Sequence, residues 1–228
     1  MSFVVVPGAF LVVLLLLSSV GTSTEKYEKA PKKTSRTTQI AISKPIGMLE
    51  QKHTDLDTIF NYITKKFKKV SNDDARHIAR NLVDYGKKHN VDPKFAAAVI
   101  ARESAFKKDA VSVTGAKGLG QIKDFNYKML DINDPFNINQ NVDGTIHYLK
   151  KMINKWKENT DEIVVAKAGN QRSNEKIPVS EKDHLKLALA SYYKGFTAVK
   201  TTGLDPKTEK YVEDILKYYH EIASSESK

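Results

Sequence analysis

From His53 to the end of the chain, apolar residues return every three or four positions, and no run alternates as a half-buried strand would. Leu56, Ile59, Phe60, Ile63, Phe67 and Val70 form one such stripe. Ala75, Ile78, Ala79 and Leu82 form a second, with Ser71, Asn72 or Asp73 as its capping residue. Asp92 and Pro93 open a third helix, a capping side chain followed by proline at the first helical position. That helix is expected to run through Phe95, Val99 and Phe106. Ile138, Val142, Ile146, Leu149, Ile153 and Trp156 mark a long amphipathic helix. Ser180 and Asp183 resemble a capping box ahead of Leu185, Ala188, Leu189 and Tyr192, and Gly195 ends that helix. Pro206 precedes a last helix with Tyr211, Val212, Ile215, Leu216 and Tyr219 inward. The expected fold class is therefore all-α, as one mainly helical domain over residues 53–228.

The residues before it read differently. Residues 3–20 are almost entirely apolar and include four consecutive leucines, Leu14 to Leu17. Small residues follow at Ser19, Gly21 and Ser23, where a signal peptidase could cut. Residues 1–23 are expected to be a signal peptide or a membrane anchor, and both readings send the rest of the chain across a membrane. Residues 24–52 mix Lys, Thr, Ser and Pro without a helical or strand period, and read as a basic flexible tether. The formal net charge is +10, which favours polyanionic partners. Export argues against nucleic acid and leaves an anionic lipid surface or a cell wall. Lys65, Lys66, Lys68 and Lys69 flank the first stripe and fit either a polymer contact or a solvated face.

The common catalytic patterns are missing. With no cysteine there is no disulfide, thiolate zinc site or cysteine nucleophile. No histidine pair at helical spacing encloses a Glu, and no Gly-x-Ser-x-Gly elbow occurs. The glycine-rich residues 115–120 lack the Lys-Ser or Lys-Thr of a phosphate loop. No metal and no cofactor are expected. Carboxylates and tyrosines remain.

Glu103 is the odd carboxylate. It lies four residues after Val99 and eight after Phe95, on the same apolar stripe. Burial there removes hydration and raises the carboxyl pKa, as a general acid requires. Periodicity alone also allows a plain surface residue paired with Lys107.

The wider segment carries more. Glu103 and Ser104, then Ala110 and Ser112, then Gly115, Ala116, Gly118, Leu119 and Gln121 hold the spacing of the soluble lytic transglycosylase signature. Asn141, Val142 and Gly144 followed by Tyr148 and Leu149 continue it, as do residues 187–195 and Thr208 with Tyr211 and Val212. Four motifs in order make the chain resemble this family, which is related to goose-type lysozyme. The resemblance implies a lysozyme-like helical fold, peptidoglycan glycan strands as substrate and one catalytic Glu, matching Glu103. It implies Ser104 and Gln121 in the sugar-binding cleft, and Tyr192 and Tyr211 facing the carboxyl. It further implies a periplasmic or envelope location and compatibility with a wall-spanning assembly.

Three positions depart from the family pattern. Gly120 stands for a Met, Tyr193 for an Asn and Lys207 for a Glu. The polar residues 169–179 look like an insertion. The reaction expected from the resemblance is cleavage between N-acetylmuramic acid and N-acetylglucosamine with a 1,6-anhydro product. Two alternatives stay open: a hydrolytic muramidase using a second carboxylate such as Asp109 or Asp124, and a wall-binding module without activity.

Overall fold

The computed structural model describes residues 46–159 and 181–227. The apolar segment 1–23, most of the tether, the insertion at 169–179 and the cap at Ser180 lie outside the described residues. Among the described residues the chain is helical with no strand, and no helix there is long and apolar enough to cross a membrane.

The first helix, α1 (Ile46–Lys66), begins seven residues ahead of His53. Its opening turns carry Met48, Leu49, Glu50 and Gln51, all good helix formers, so helical backbone extends into the segment read as tether. Next come α2 (Asn72–His89), capped by the Ser71 side chain on the Asp74 amide, and α3 (Pro93–Ser104), capped by Asp92 on the Lys94 amide. A short 3-10 turn (Asp124–Asn126) and α4 (Tyr127–Leu130) precede the long α5 (Ile138–Glu158). The chain closes with α6 (Glu181–Lys194), α7 (Phe196–Thr202) and α8 (Pro206–Ala223). The short pieces, α4 and α7, carry too few turns to show a period.

The packing is built around α3. Phe95, Ala96, Ala97, Ala98, Val99, Ile100 and Ala101 are all buried, so this helix is covered on every side rather than along one stripe. The alanines let α8, α2, α1 and α5 contact it. Trp156 on α5 is fully buried, and its indole N–H donates to Ser191 Oγ on α6 at 2.8 Å. This bond ties the two helices that flank the insertion and satisfies a polar atom in the core.

α3 stops two residues short of the expected end. Ala105 and Phe106 both take left-handed backbone, with φ of 52° and 60°. Neither is glycine, so each costs about 1–2 kcal/mol. The burial of Phe106 offsets this: its ring packs edge-on to Phe67 at 5.1 Å. The chain is thereby turned sharply just after Glu103 and Ser104.

The glycine-rich segment that follows folds back on itself. Lys117 pairs with Val111 and with Ile122 through isolated antiparallel bridges. Asn141 of α5 fastens it to the core. Its Nδ2 donates to the carbonyls of Lys117 at 3.2 Å and Pro135 at 2.8 Å, and its Oδ1 accepts the Gly120 amide at 2.8 Å. Asn141 is only 1% exposed, so each bond satisfies a group that water cannot reach.

Gly118 has φ of +75°, and a Cβ there would fall 2.1 Å from the Pro135 carbonyl oxygen and 2.2 Å from Asn141 Nδ2. Gly115, at +81°, has nothing within 4 Å. The two glycines thus separate backbone strain from steric exclusion. Gly115→Ala is expected to cost about 1 kcal/mol, and Gly118→Ala about 3 kcal/mol or more, because the clash forces Asn141 off its partners. Urea denaturation of the two variants checks this; equal losses would contradict it.

Candidate active site

Glu103 occupies the last turn of α3, where the fully buried helix reaches the strained turn at Ala105. It is only partly exposed, and it is not paired with Lys107, because the helix ends at Ser104. Its Oε1 instead accepts a hydrogen bond of 2.5 Å from the phenol of Tyr211 on α8. Burial pushes the Glu103 carboxyl up to about 7 from its ordinary 4.5, while the Tyr211 hydrogen bond and then the Arg102 charge pull it down. The balance leaves a carboxyl that is half protonated near neutrality.

Tyr211 is 2% exposed. Burial and the neighbouring Glu103 hold its own pKa well above the normal phenol value. It therefore stays protonated and acts as a fixed donor to the carboxyl. The Arg102 guanidinium lies over its ring at 5.3 Å and pairs with Asp214 at 3.1 Å, which fixes the flank of the site.

Tyr192 lies beside the carboxyl without donating to it. Its phenol donates to the Gly120 carbonyl at 2.7 Å, although Glu103 is close enough to raise its pKa after burial has done so. Tyr192 thus braces the glycine loop beside the carboxyl rather than gripping the carboxyl itself. Its ring meets Tyr148 edge-on at 5.1 Å, over a small apolar cluster of Ile122, Leu130 and Ile132.

Gln121 also works on the loop. Its Nε2 donates to the carbonyls of Gly118 at 2.9 Å and Ala110 at 3.2 Å, and its backbone is left-handed at φ 51°. Ser104 is buried, and its Oγ donates weakly to the Ile100 carbonyl of its own helix at 3.4 Å. The five residues therefore divide: Tyr211 meets Glu103 directly, Tyr192 and Gln121 shape the adjoining loop, and Ser104 turns into α3.

Gly120 explains itself through Thr145. A Cβ at Gly120 would lie 1.9 Å from Thr145 Oγ1. Thr145 is fully buried and donates to the Asn141 carbonyl at 2.7 Å. The threonine fills the space that a side chain at 120 would enter.

Thr145 is a structural member that the sequence reading passed over, and Asn141 entered it only as part of a motif. The signal was present: both polar residues fall among buried positions of α5, between Ile138 and Ile146. A polar group on a buried stripe needs partners, and here the partner is the loop backbone. Among the described residues no cluster of acidic or histidine side chains could hold a metal ion.

The raised pKa of Glu103 has a stability consequence. The unfolded chain releases this proton near its ordinary value of 4.5, while the folded chain keeps it to about 7. Between those values the folded state binds more protons, so stability falls as pH rises through the window. The isosteric Glu103→Gln removes this penalty. The variant is expected to exceed the wild type by up to about 3 kcal/mol at pH 8 and to lose that advantage below about pH 4.5. Denaturant titrations at both pH values check this; a pH-independent difference would contradict the buried-carboxyl account.

A family model, a curated protein and a solved structure are similar to this chain. The family model "Transglycosylase SLT domain" matches residues 81–215, more than half of the chain. A curated relative, the membrane-bound lytic murein transglycosylase F of Desulfosudis oleivorans, is 28% identical over 136 residues, or 57% of this chain and 26% of that protein. An inactive mutant of the lytic transglycosylase Slt from Pseudomonas aeruginosa aligns in three dimensions at 20% identity and a TM-score of 0.47, over 63% of this chain and 23% of that one. The chain spans about a quarter of the length of these relatives. With Glu103, the glycine loop, Asn141, Tyr192 and Tyr211 all inside the matched residues, this chain belongs to the transglycosylase SLT domain family.

Proposed function

We propose that this chain is a peptidoglycan lytic transglycosylase in which Glu103 serves first as acid and then as base. The observation that carries the reading is the hydrogen bond from Tyr211 to a buried Glu103 whose pKa is pushed up to about 7. A group that must give a proton in one step and take one in the next works best with a pKa near the working pH. Burial alone would hold the proton too tightly. Tyr211 donates to Oε1 and favours the ionised form, which brings the value back into range.

The proposed sequence is short. Protonated Glu103 donates to the glycosidic oxygen between N-acetylmuramic acid and N-acetylglucosamine. The C1–O bond breaks, and the acetamido oxygen of the substrate stabilises the developing positive charge. Glu103, now a carboxylate, accepts the proton of the muramoyl 6-hydroxyl as that oxygen bonds to C1. The products are a 1,6-anhydromuramoyl end and a free 4-hydroxyl, and Glu103 is again protonated. Tyr211 keeps its proton throughout and positions Oε1, leaving Oε2 to carry the transferred proton.

A hydrolytic muramidase would need a carboxylate to activate water. Asp109 and Asp124 are both exposed, and the groups that shift Glu103 are burial, Tyr211 and Arg102. That environment supports the internal hydroxyl as the nucleophile. The built site at Glu103 likewise favours an enzyme over a binding module. In this reading residues 1–23 carry the domain to the envelope side of the membrane, and residues 24–52 set its reach from there. A membrane-bound murein transglycosylase among the relatives supports an envelope location.

Mass spectrometry of peptidoglycan digested by the full chain tests the reading. Anhydromuramoyl ends are expected from the wild type, with release falling about 100-fold or more in Glu103→Gln. Reducing ends would overturn the transglycosylase assignment. Activity is expected to decline above about pH 7 as Glu103 ionises. In Tyr211→Phe the loss of the donor raises the Glu103 pKa, so the alkaline limb of the pH profile should move upward while the maximal rate falls. An unmoved limb would remove Tyr211 from the proton-transfer account.

A further inference from the structure

Tyr193 follows Tyr192 by one residue near the end of α6, about 100° further round the helix. Tyr192 turns inward to the Gly120 carbonyl, and Tyr193 turns outward. Tyr193 is 40% exposed although its ring has a packed partner. It stacks on Tyr211 with centroids 4.6 Å apart and planes within 21°. Tyr211 in turn donates to Glu103. An open aromatic ring therefore lies one side chain removed from the proposed acid/base.

Lys207 of α8 stands beside that ring. Its Nζ lies over the Tyr193 ring, 5.8 Å from the centroid, and the Tyr193 side chain favours its charged form. Lys207 sits in the first turn of α8, directly after Pro206 at the helix start. A cation there meets the positive end of the helix dipole, so helix stability gives no reason for it. Asp205, two residues earlier, is already engaged: it accepts from the Thr208 amide and hydroxyl and pairs with Lys194 at 2.8 Å. Among the described residues no carboxylate forms an ion pair with Lys207.

We propose that Tyr193 and Lys207 form a substrate-reading pair beside Glu103, in which the ring packs against a pyranose and the ammonium selects a carboxylate carried by that sugar. The pair rests on the reading of Glu103 as the glycan-cleaving group. The apolar C–H face of a pyranose suits the face of an aromatic ring, and Tyr193 offers that surface with two torsions already fixed by stacking. The exposed Lys207 ammonium, 5.8 Å from the ring centroid, adds a test of charge. The class of ligand is an N-acetylated sugar whose lactyl substituent ends in a free carboxylate, as in strands stripped of their peptides. Tyr193 and Lys207 are also two of the three departures from the family pattern, and the structure shows them in contact. They form one coupled change rather than two separate losses.

The test is calorimetric binding by the full chain carrying Glu103→Gln, which prevents turnover. The probes are peptide-free glycan strands with free lactyl carboxylates and the same strands with those carboxylates converted to methylamides. The carboxylate strands are expected to bind about fivefold more tightly at low salt, with the preference shrinking as salt rises. Adding Lys207→Gln should bring the ratio to about one, and Lys207→Glu should invert it. Tyr193→Ala should weaken both probes alike by about threefold or more. Equal ratios with and without Lys207, or no preference at the outset, would overturn the proposal. The outcome is separable from the catalytic reading. A Lys207-dependent ratio in a chain that yields no anhydro products leaves the pair standing and removes the activity, and cleavage with an unchanged ratio does the reverse.

Discussion

A carboxyl at the end of a helix that is buried on every side is the constraint from which the rest of the site follows. Alanines at 96, 97, 98 and 101 let neighbouring helices close over α3, and this packing strips water from Glu103. Without a donor the carboxyl would be locked as the neutral acid. Tyr211 supplies that donor from α8, a helix more than a hundred residues later in the chain. The contact of α3 with α8 is thus both a packing interface and the device that sets the proton affinity of Glu103.

Keeping that carboxyl accessible at one end requires the chain to leave α3 abruptly. Ala105 and Phe106 do so in left-handed backbone, and Gln121 adds a third such residue in the loop opposite. Strain of this kind persists only where surrounding contacts over-determine it. Here the contacts are the buried Phe106 ring, the three bonds of Asn141 and the Tyr192 phenol on Gly120. The loop is therefore held from α5 and α6, the same helices joined by Trp156 and Ser191. Thr145 completes the arrangement by packing where a side chain at 120 would sit.

Much of this was legible in the sequence. Periodicity placed the long helices, and the capping residues Ser71 and Asp92 fall where side-chain chemistry puts them. Glu103 stood out because a carboxylate on an apolar stripe is chemically conspicuous. What the sequence did not display were the non-local pairings. Tyr192 and Tyr211 are alike as buried helical tyrosines, and only the packing of α6 and α8 distinguishes a loop brace from a carboxyl donor. The end of α3 was misplaced because Phe106 continues the apolar spacing while its backbone has already left the helix. Helical backbone ahead of His53 was missed because good helix formers need no apolar period. Tyr193 and Lys207 read as isolated departures until the fold brought them together.

The central claim is that burial and one phenol together place the Glu103 proton near neutrality. Heteronuclear NMR of the Glu103 side-chain carboxyl carbon, followed across pH in the wild-type chain, measures this without reference to turnover. The account predicts a titration midpoint near 7. A midpoint at the ordinary 4.5 would show a solvated carboxylate and contradict it.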